Sequence, residues 1–257
     1  MNVYPGRAAA PWFQCYRPVP VATARLACFP HAGGSASFFR PWADELPADV
    51  ELLAAQYPGR EDRLREPPAT DLGELADRYA DVLRAVADMP LVLFGHSLGA
   101  AVGYEVARRL AAAGTPPTLL VVSGRQAPFD PSRAVHLMDD DALWADVARA
   151  GGTSRAVLES PELRALVLPV LRADYRLSET YRPAAGPPLT CPVLAVSGDA
   201  DPDVDLAVLP GWGTVTSAGC EVRVFTGDHF FLQPHRRALV GEIVRRLRAR
   251  TDAWATP

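Results

Sequence analysis

One serine, one histidine and a few aspartates in this chain are spaced as nucleophilic acyl chemistry requires. Ser97 stands in Leu93-Phe94-Gly95-His96-Ser97-Leu98-Gly99-Ala100, a G-x-S-x-G pattern with an apolar run before it and a helix-forming run, Leu98–Ala113, after it. A strand that turns sharply into a helix at such a serine exposes the hydroxyl. The free N–H groups and dipole of the helix N-terminus then favour negative charge developing beside it. The glycines at 95 and 99 leave room for a strained turn and for close packing of helix on strand. The pattern alone is weak, but its strand–turn–helix context makes Ser97 a candidate nucleophile and not a plain turn serine.

A serine nucleophile needs a base, and the base needs an orienting acid. Three histidines follow Ser97: His136, His229 and His235. His229 lies in Thr226-Gly227-Asp228-His229-Phe230-Phe231, just past the last apolar strand, where the order nucleophile–acid–base places it. His136 falls inside a helical insertion and His235 at the start of the last helix, positions suited to solvated or capping roles. The acid is expected after the penultimate strand, where Gly198-Asp199-Ala200-Asp201-Pro202-Asp203 offers three aspartates. Asp199 is close enough to the strand end to cap the turn. Asp201, ahead of a proline that imposes extended backbone, is the preferred partner for His229, and Asp203 comes third. Asp228 reads as a loop-stabilising residue. An oxyanion hole needs two backbone N–H donors. One is expected from Leu98 and the other from Ala32, in the glycine-rich turn His31-Ala32-Gly33-Gly34-Ser35, with His31 holding the turn.

The elements that must carry these residues follow from the hydrophobic pattern. Strands are expected at Trp12–Arg17, Ala24–Pro30, Val50–Tyr57, Leu91–Gly95, Thr118–Ser123, Pro192–Ser197 and Glu221–Thr226. The later ones are continuously apolar, as strands covered on both faces of a parallel sheet are. Leu75, Tyr79, Val82, Leu83 and Val86 share one helical face behind a candidate N-cap, Asp71, and Leu239, Ile243 and Leu247 repeat the spacing near the C-terminus. Alternating strands and helices imply an α/β fold with a mostly parallel, doubly wound sheet, spanning 1–257 as one domain. Nearly seventy residues between the fifth and sixth strands contain no convincing strand. Helical patterns at Asp139–Ala150 and Pro161–Tyr181 make residues 125–188 a helical lid insertion over one edge of the sheet. Turn chemistry brackets it, Arg125-Gln126-Ala127-Pro128 on one side and Arg182 to Pro188 on the other.

Composition narrows the class. The net charge of −4 argues against a nucleic-acid partner. All 26 basic residues are arginine, which excludes a Schiff-base lysine and a phosphate loop of the GK[ST] type. Cys15, Cys28, Cys191 and Cys220 are widely spaced, with no C-x-x-C pair, and read as small apolar residues and not metal ligands. No apolar run nears a membrane span, and the N-terminus lacks a signal-like core, so a cytoplasmic location without a membrane partner is expected.

With these pieces placed, the chain resembles the type II thioesterases, free-standing α/β hydrolases that serve polyketide synthases and nonribosomal peptide synthetases. The likeness runs from about Cys28 to Leu232 and rests on CFPHAGGSASFFRPW, QYPGRE, FGHSLGA, SGRQAP, the GDADP turn and GDHFFL. It implies Ser97, Asp201 and His229 as triad, Ala32 and Leu98 as oxyanion donors, and a helical lid after SGRQAP. It further implies hydrolysis of acyl thioesters on the phosphopantetheine arm of acyl or peptidyl carrier proteins, with no cofactor of the enzyme's own. Two segments depart from the family: Asp228 stands where glycine is common, and DVDLAVLPGW follows the acid. Six arginines between Arg236 and Arg250 could dock an acidic carrier, but a solvated helix face is the preferred reading. The alternative activity is a small-molecule carboxylesterase or lipase with the same triad. A binding protein on a decayed hydrolase fold and an acyl transferase are the remaining readings.

Overall fold

Mostly apolar runs of five or six residues need cover on both faces, and five of them find it here. The computed structural model describes residues 11–126, 133–153 and 155–254, with only the backbone for 251–254. Ala127 and Pro128, part of the expected turn into the insertion, lie outside the described residues, as do the first ten. Strands β1 (Phe13–Gln14), β2 (Ala24–Phe29), β3 (Val50–Ala55), β4 (Leu91–His96), β5 (Leu119–Ser123), β6 (Val193–Gly198) and β7 (Cys220–Phe225) form one sheet. Its order is β1-β3-β2-β4-β5-β6-β7. Only β1 runs antiparallel, against β3; every other pairing is parallel. Strands β2 to β6 are buried throughout, while the edge strand β7 is not.

Helices cover both faces. On one side α1 (Leu72–Arg84) and α2 (Leu98–Ala112) bury Leu75, Tyr79, Leu83, Val102, Val106 and Leu110. On the other, α6 (Arg236–Trp254) buries Leu239, Val240, Ile243 and Leu247 beside Phe39 and Trp42 of a 3-10 segment, Ala36–Trp42. The sheet is therefore doubly wound, the expected α/β arrangement. Asp71 caps α1 as its position suggests, accepting the Glu74 N–H at 2.9 Å.

The segment between β5 and β6 is helical: α3 (Asp140–Ala150), a single turn α4 (Arg155–Leu158) and α5 (Pro161–Thr180). Asp139 and Ser160 cap α3 and α5. Leu143 and Val147 of α3 meet Leu168 and Leu171 of α5 in a small core of their own. Helix α5 leans across α2 to reach the turn after β2, so the insertion covers the carboxyl ends of central strands instead of an outer edge.

Two expectations change on inspection. The first strand shrinks to Phe13–Gln14, because the chain then leaves the sheet edge: Arg17 donates to the carbonyls of Leu46 and Pro47, and Pro18 has no N–H for a ladder. The unusual stretch after the acid is a 3-10 run, Leu206–Val215, capped by Asp205. It buries Leu209 and Trp212, and the Trp212 indole donates to the Arg125 carbonyl at 3.0 Å.

Two glycines in helices should respond oppositely to a methyl group. Gly241 is exposed within α6 with nothing within 4 Å of a built Cβ, so Gly241→Ala is expected to stabilise the fold by about 1 kcal/mol. At Gly99 a Cβ would lie 2.0 Å from the Phe29 carbonyl oxygen, and Gly99→Ala is expected to cost about 3 kcal/mol or more. Urea unfolding of the two variants checks both signs.

Candidate active site

Ser97 sits where β4 passes into α2 with φ 55° and ψ −114°, a left-handed conformation that a side chain adopts only under constraint. The constraint is packing. A Cβ on Gly95 would fall 2.0 Å from the Gly99 carbonyl oxygen, so helix and strand approach at backbone contact. The Ser97 N–H donates to the Ser123 carbonyl at 2.8 Å, and the Ser97 carbonyl accepts the Ala100 N–H at 3.0 Å, fixing the turn on both sides. The side chain is half-buried and lines a cavity shared with His229.

The loops after β6 and β7 are zipped together before they reach the serine. Asp199, as its position suggested, serves the turn: its Oδ1 accepts the Gly227 N–H at 2.8 Å, and its own N–H bonds the Phe225 carbonyl. Asp201 turns inward, with its Oδ2 2.9 Å from Nδ1 of His229 and accepting the Ser197 hydroxyl at 3.4 Å. Its Oδ1 accepts the Asp203 N–H at 2.9 Å. Its carboxylate has no exposed surface, and the imidazole has little. Asp228 accepts the Phe230 N–H at 2.8 Å, an Asx turn that holds the loop. His235 bonds the Thr226 carbonyl, and His136 pairs with Glu179 at 2.6 Å inside the insertion. The expected acid and base, Asp201 and His229, are thus together. Among the described residues no hydrogen bond joins Ser97 Oγ to His229, although both line the same cavity; such bonds are often long before substrate arrives.

Asp201, Asp203 and His229 bring potential metal-ligand atoms within 4.8 Å of one another. Each is already engaged: Asp201 with His229, and Asp203 with Arg133 at 2.5 Å and Arg149 at 2.9 Å. Those contacts use the donors that an ion would need.

The turn after β2 faces the start of α2. Leu98 opens that helix, so its N–H has no partner within it. Next to it, the Gly34 N–H closes on the His31 carbonyl at 2.9 Å and the Gly33 N–H on Asp174 of α5 at 2.7 Å. The Ala32 N–H has no acceptor among the described residues. The loop after β3 braces this turn. Gln56 accepts the Ala36 N–H, Arg60 donates to the Gly34 carbonyl at 3.1 Å, and Glu61 takes the hydroxyls of Ser35 and Ser37. Arg60 also grips Asp174 through both terminal nitrogens, at 2.6 and 2.9 Å. Burial works against that guanidinium's charge, yet the carboxylate's charge and hydrogen bonds hold its pKa above the usual value. The motif QYPGRE was noticed in the sequence without a role; its role here is to support the turn. Asp174 gave no signal at all.

Three imidazoles crowd the site. His96 lies 4.8 Å from His229 and 5.8 Å from His31, centroid to centroid. Its Nδ1 meets the Ser123 hydroxyl at 3.0 Å, while Nε2 is buried without a partner among the described residues. His31 packs edge-on against Phe38 and Phe230. Desolvation, aided by His229 and Arg60, pushes His31 down to about 3, and desolvation with the other two imidazoles holds His96 well below its ordinary range. The cavity measures about 580 Å³, with Trp144, Val147, Val157, Val167 and Leu171 forming an apolar wall. Five of the six arginines of α6 pair with acids: Arg236 and Arg237 with Glu45, Arg245 and Arg246 with Glu242, and Arg248 with Asp49.

Comparison with known proteins gives a consistent result. The family model for the thioesterase domain matches residues 24–250. The chain is 42% identical over 240 residues to a probable cadicidin biosynthesis thioesterase of Streptomyces griseus, covering 93% of this chain and 66% of that one. It is 42% identical over 235 residues to thioesterase PikA5 of Streptomyces venezuelae, covering 90% and 84%. Among solved structures it is similar to the type II thioesterase BorB from the borrelidin biosynthetic cluster, with 43% identity and a TM-score of 0.85 over 92% of this chain and 97% of that one.

His96 gives the fold a measurable pH signature. A histidine neutral when folded takes a proton once unfolded below about pH 6.5, so stability is complete above that value and is lost as the pH falls toward the depressed folded pKa. At pH 5 such a group costs about 2 kcal/mol. Urea unfolding at pH 7.5 and pH 5 is expected to show His96→Gln losing about 2 kcal/mol less than the parent chain. An equal loss would mean that the ring is not held neutral.

Proposed function

This chain belongs to the thioesterase family, and from that membership we propose that it hydrolyses acyl thioesters borne on the phosphopantetheine arms of polyketide or nonribosomal peptide carrier proteins, clearing carriers that hold aberrant acyl groups. The observation that carries the chemistry is the buried Asp201–His229 contact of 2.9 Å in a cavity also lined by Ser97. His229, oriented through Nδ1 by Asp201, takes the Ser97 proton on Nε2 as Oγ attacks the thioester carbonyl. The tetrahedral oxyanion accepts from the N–H groups of Leu98 and Ala32. Collapse expels the pantetheine sulfur, which leaves as a thiol with the proton from His229. Water, activated by the same imidazole, then attacks the acyl-serine and releases the free acid. None of these steps calls on a cofactor.

The 125–188 segment acts as the lid. Its apolar wall receives the acyl chain and keeps bulk water from the oxyanion, where a low dielectric strengthens every hydrogen bond to it. No helix among the described residues is long and apolar enough to cross a membrane. The enzyme works beside its synthase in the cytoplasm.

The test compares free-acid release from acyl-phosphopantetheinyl carrier proteins, from the matching acyl-pantetheine and from a simple oxygen ester. Carrier-bound substrates are expected to turn over fastest. Ser97→Ala and His229→Ala should each cost about 10⁴-fold or more in kcat, and Asp201→Asn about 10³- to 10⁴-fold. Activity confined to the oxygen ester, or a Ser97→Ala variant with the parent rate, would overturn the reading.

A further inference from the structure

Resting on that reading, we propose that Arg60 and Asp174 form a positioning strut through which helix α5 aims the Ala32 N–H into the oxyanion hole. Neither residue touches the reacting atoms. The case begins with what one carboxylate does. Asp174, with a side chain 1% exposed, accepts the Gly33 N–H at 2.7 Å and two Arg60 nitrogens at 2.6 and 2.9 Å. One of those nitrogens also donates to the Gly34 carbonyl. A single ion pair therefore grips the peptide group that precedes Gly33 and the one that follows Gly34, in a turn already closed by the Gly34 N–H on the His31 carbonyl.

Gripping the Gly33 N–H fixes the peptide plane between Ala32 and Gly33. With the turn closed, the direction of the Ala32 N–H then has little freedom left. Gly33 itself sits at φ +75°, and a Cβ there would lie 2.5 Å from Leu171, one turn ahead of Asp174 on α5. The helix is thus seated on the turn by shape as well as by charge. Arg60 is in turn held from behind, with Nε and Nη2 donating to the Pro58 carbonyl and its backbone carbonyl accepting from Gln56. An apolar pair of equal volume could supply comparable stability at a buried site. It would offer the Gly33 N–H no acceptor, and that difference separates positioning from packing.

The experiment uses the full chain with two changes: Asp174→Asn, and the paired replacement Arg60→Met with Asp174→Leu. The paired replacement removes both charges together, so that it stays folded if the single variant does not. Three quantities are read: kcat and KM on a carrier-bound acyl thioester, the affinity of an acyl trifluoromethyl ketone, and the affinity of an unreactive acyl thioether. The ketone reports the oxyanion hole directly. Ser97 Oγ bonds to its carbonyl carbon, the hydroxyl proton passes to His229, and the former carbonyl oxygen carries the negative charge.

The paired variant is expected to unfold within a few degrees of the parent and to lose about 10²-fold in kcat, with KM changed less than about threefold. The ketone should weaken by the same factor and the thioether by less than about twofold. A folded paired variant with the parent kcat, or one in which ketone and thioether weaken equally, would overturn the strut. Ser97→Ala in parallel keeps the two readings apart. If it hydrolyses thioesters at the parent rate, the functional reading itself has failed. If it is inactive while the strut variants are fully active, only the strut has failed.

Discussion

The start of α2 meets the ends of β2 and β4 at glycines 95 and 99, where backbone meets backbone with no side chain between. Gly95 faces the Gly99 carbonyl and Gly99 faces the Phe29 carbonyl, each at a distance that a single methyl group would destroy. Parallel register pairs Phe29 with Gly95, so the turn after β2 and the turn after β4 leave the sheet side by side. That adjacency sets the turn after β2 beside the start of α2, where Ser97 holds its positive φ. Strain of about 1–3 kcal/mol at one residue is tolerated because the sheet and helix on either side are fully buried.

Two of the contacts that join the inserted helices to this centre are of unequal strength. Helix α3 reaches the acid loop through Arg149, which with Arg133 pairs with Asp203, a residue whose N–H holds Asp201. Those arginines are 33% and 41% exposed, so water and salt screen the contact and it contributes little to stability. Helix α5 reaches the turn after β2 through Asp174 and Arg60, which are 1% and 8% exposed. There the desolvation of both charges has already been incurred, and losing either partner leaves the other uncompensated. The inserted segment is therefore loosely tethered at the loop of Asp201 and firmly tethered at the turn after β2.

Much of this was legible in one sequence, for identifiable reasons. Continuous apolar runs marked β4, β5 and β6, because strands buried on both faces cannot hide their composition. Asp71 marked the start of α1 because a cap is a local device. Asp201 separated itself from Asp199 through the proline after it, which imposes an extended backbone and carries the carboxylate toward His229. What was missed lacks a local signature. The 3-10 segments Ala36–Trp42 and Leu206–Val215 follow neither the helical nor the strand period, and each contains a proline. Asp174 meets Arg60 across 114 residues of chain, and nothing near either residue announces the other.

The three clustered histidines show how a site selects one base among chemically identical rings. His31, His96 and His229 lie close enough that a positive charge on one disfavours a charge on the next. Burial already disfavours the charged form at the first two, and neither has a carboxylate beside it. His96 instead shares a hydroxyl with Ser123, and His31 packs between phenylalanine rings. Of the three, only His229 has a buried carboxylate on Nδ1, so a positive charge is compensated at that ring and at neither neighbour. The selection thus rests on where the acid loop delivers Asp201. That loop is positioned by the hydrogen bonds that Asp199 and Ala200 make to the strand and turn carrying His229.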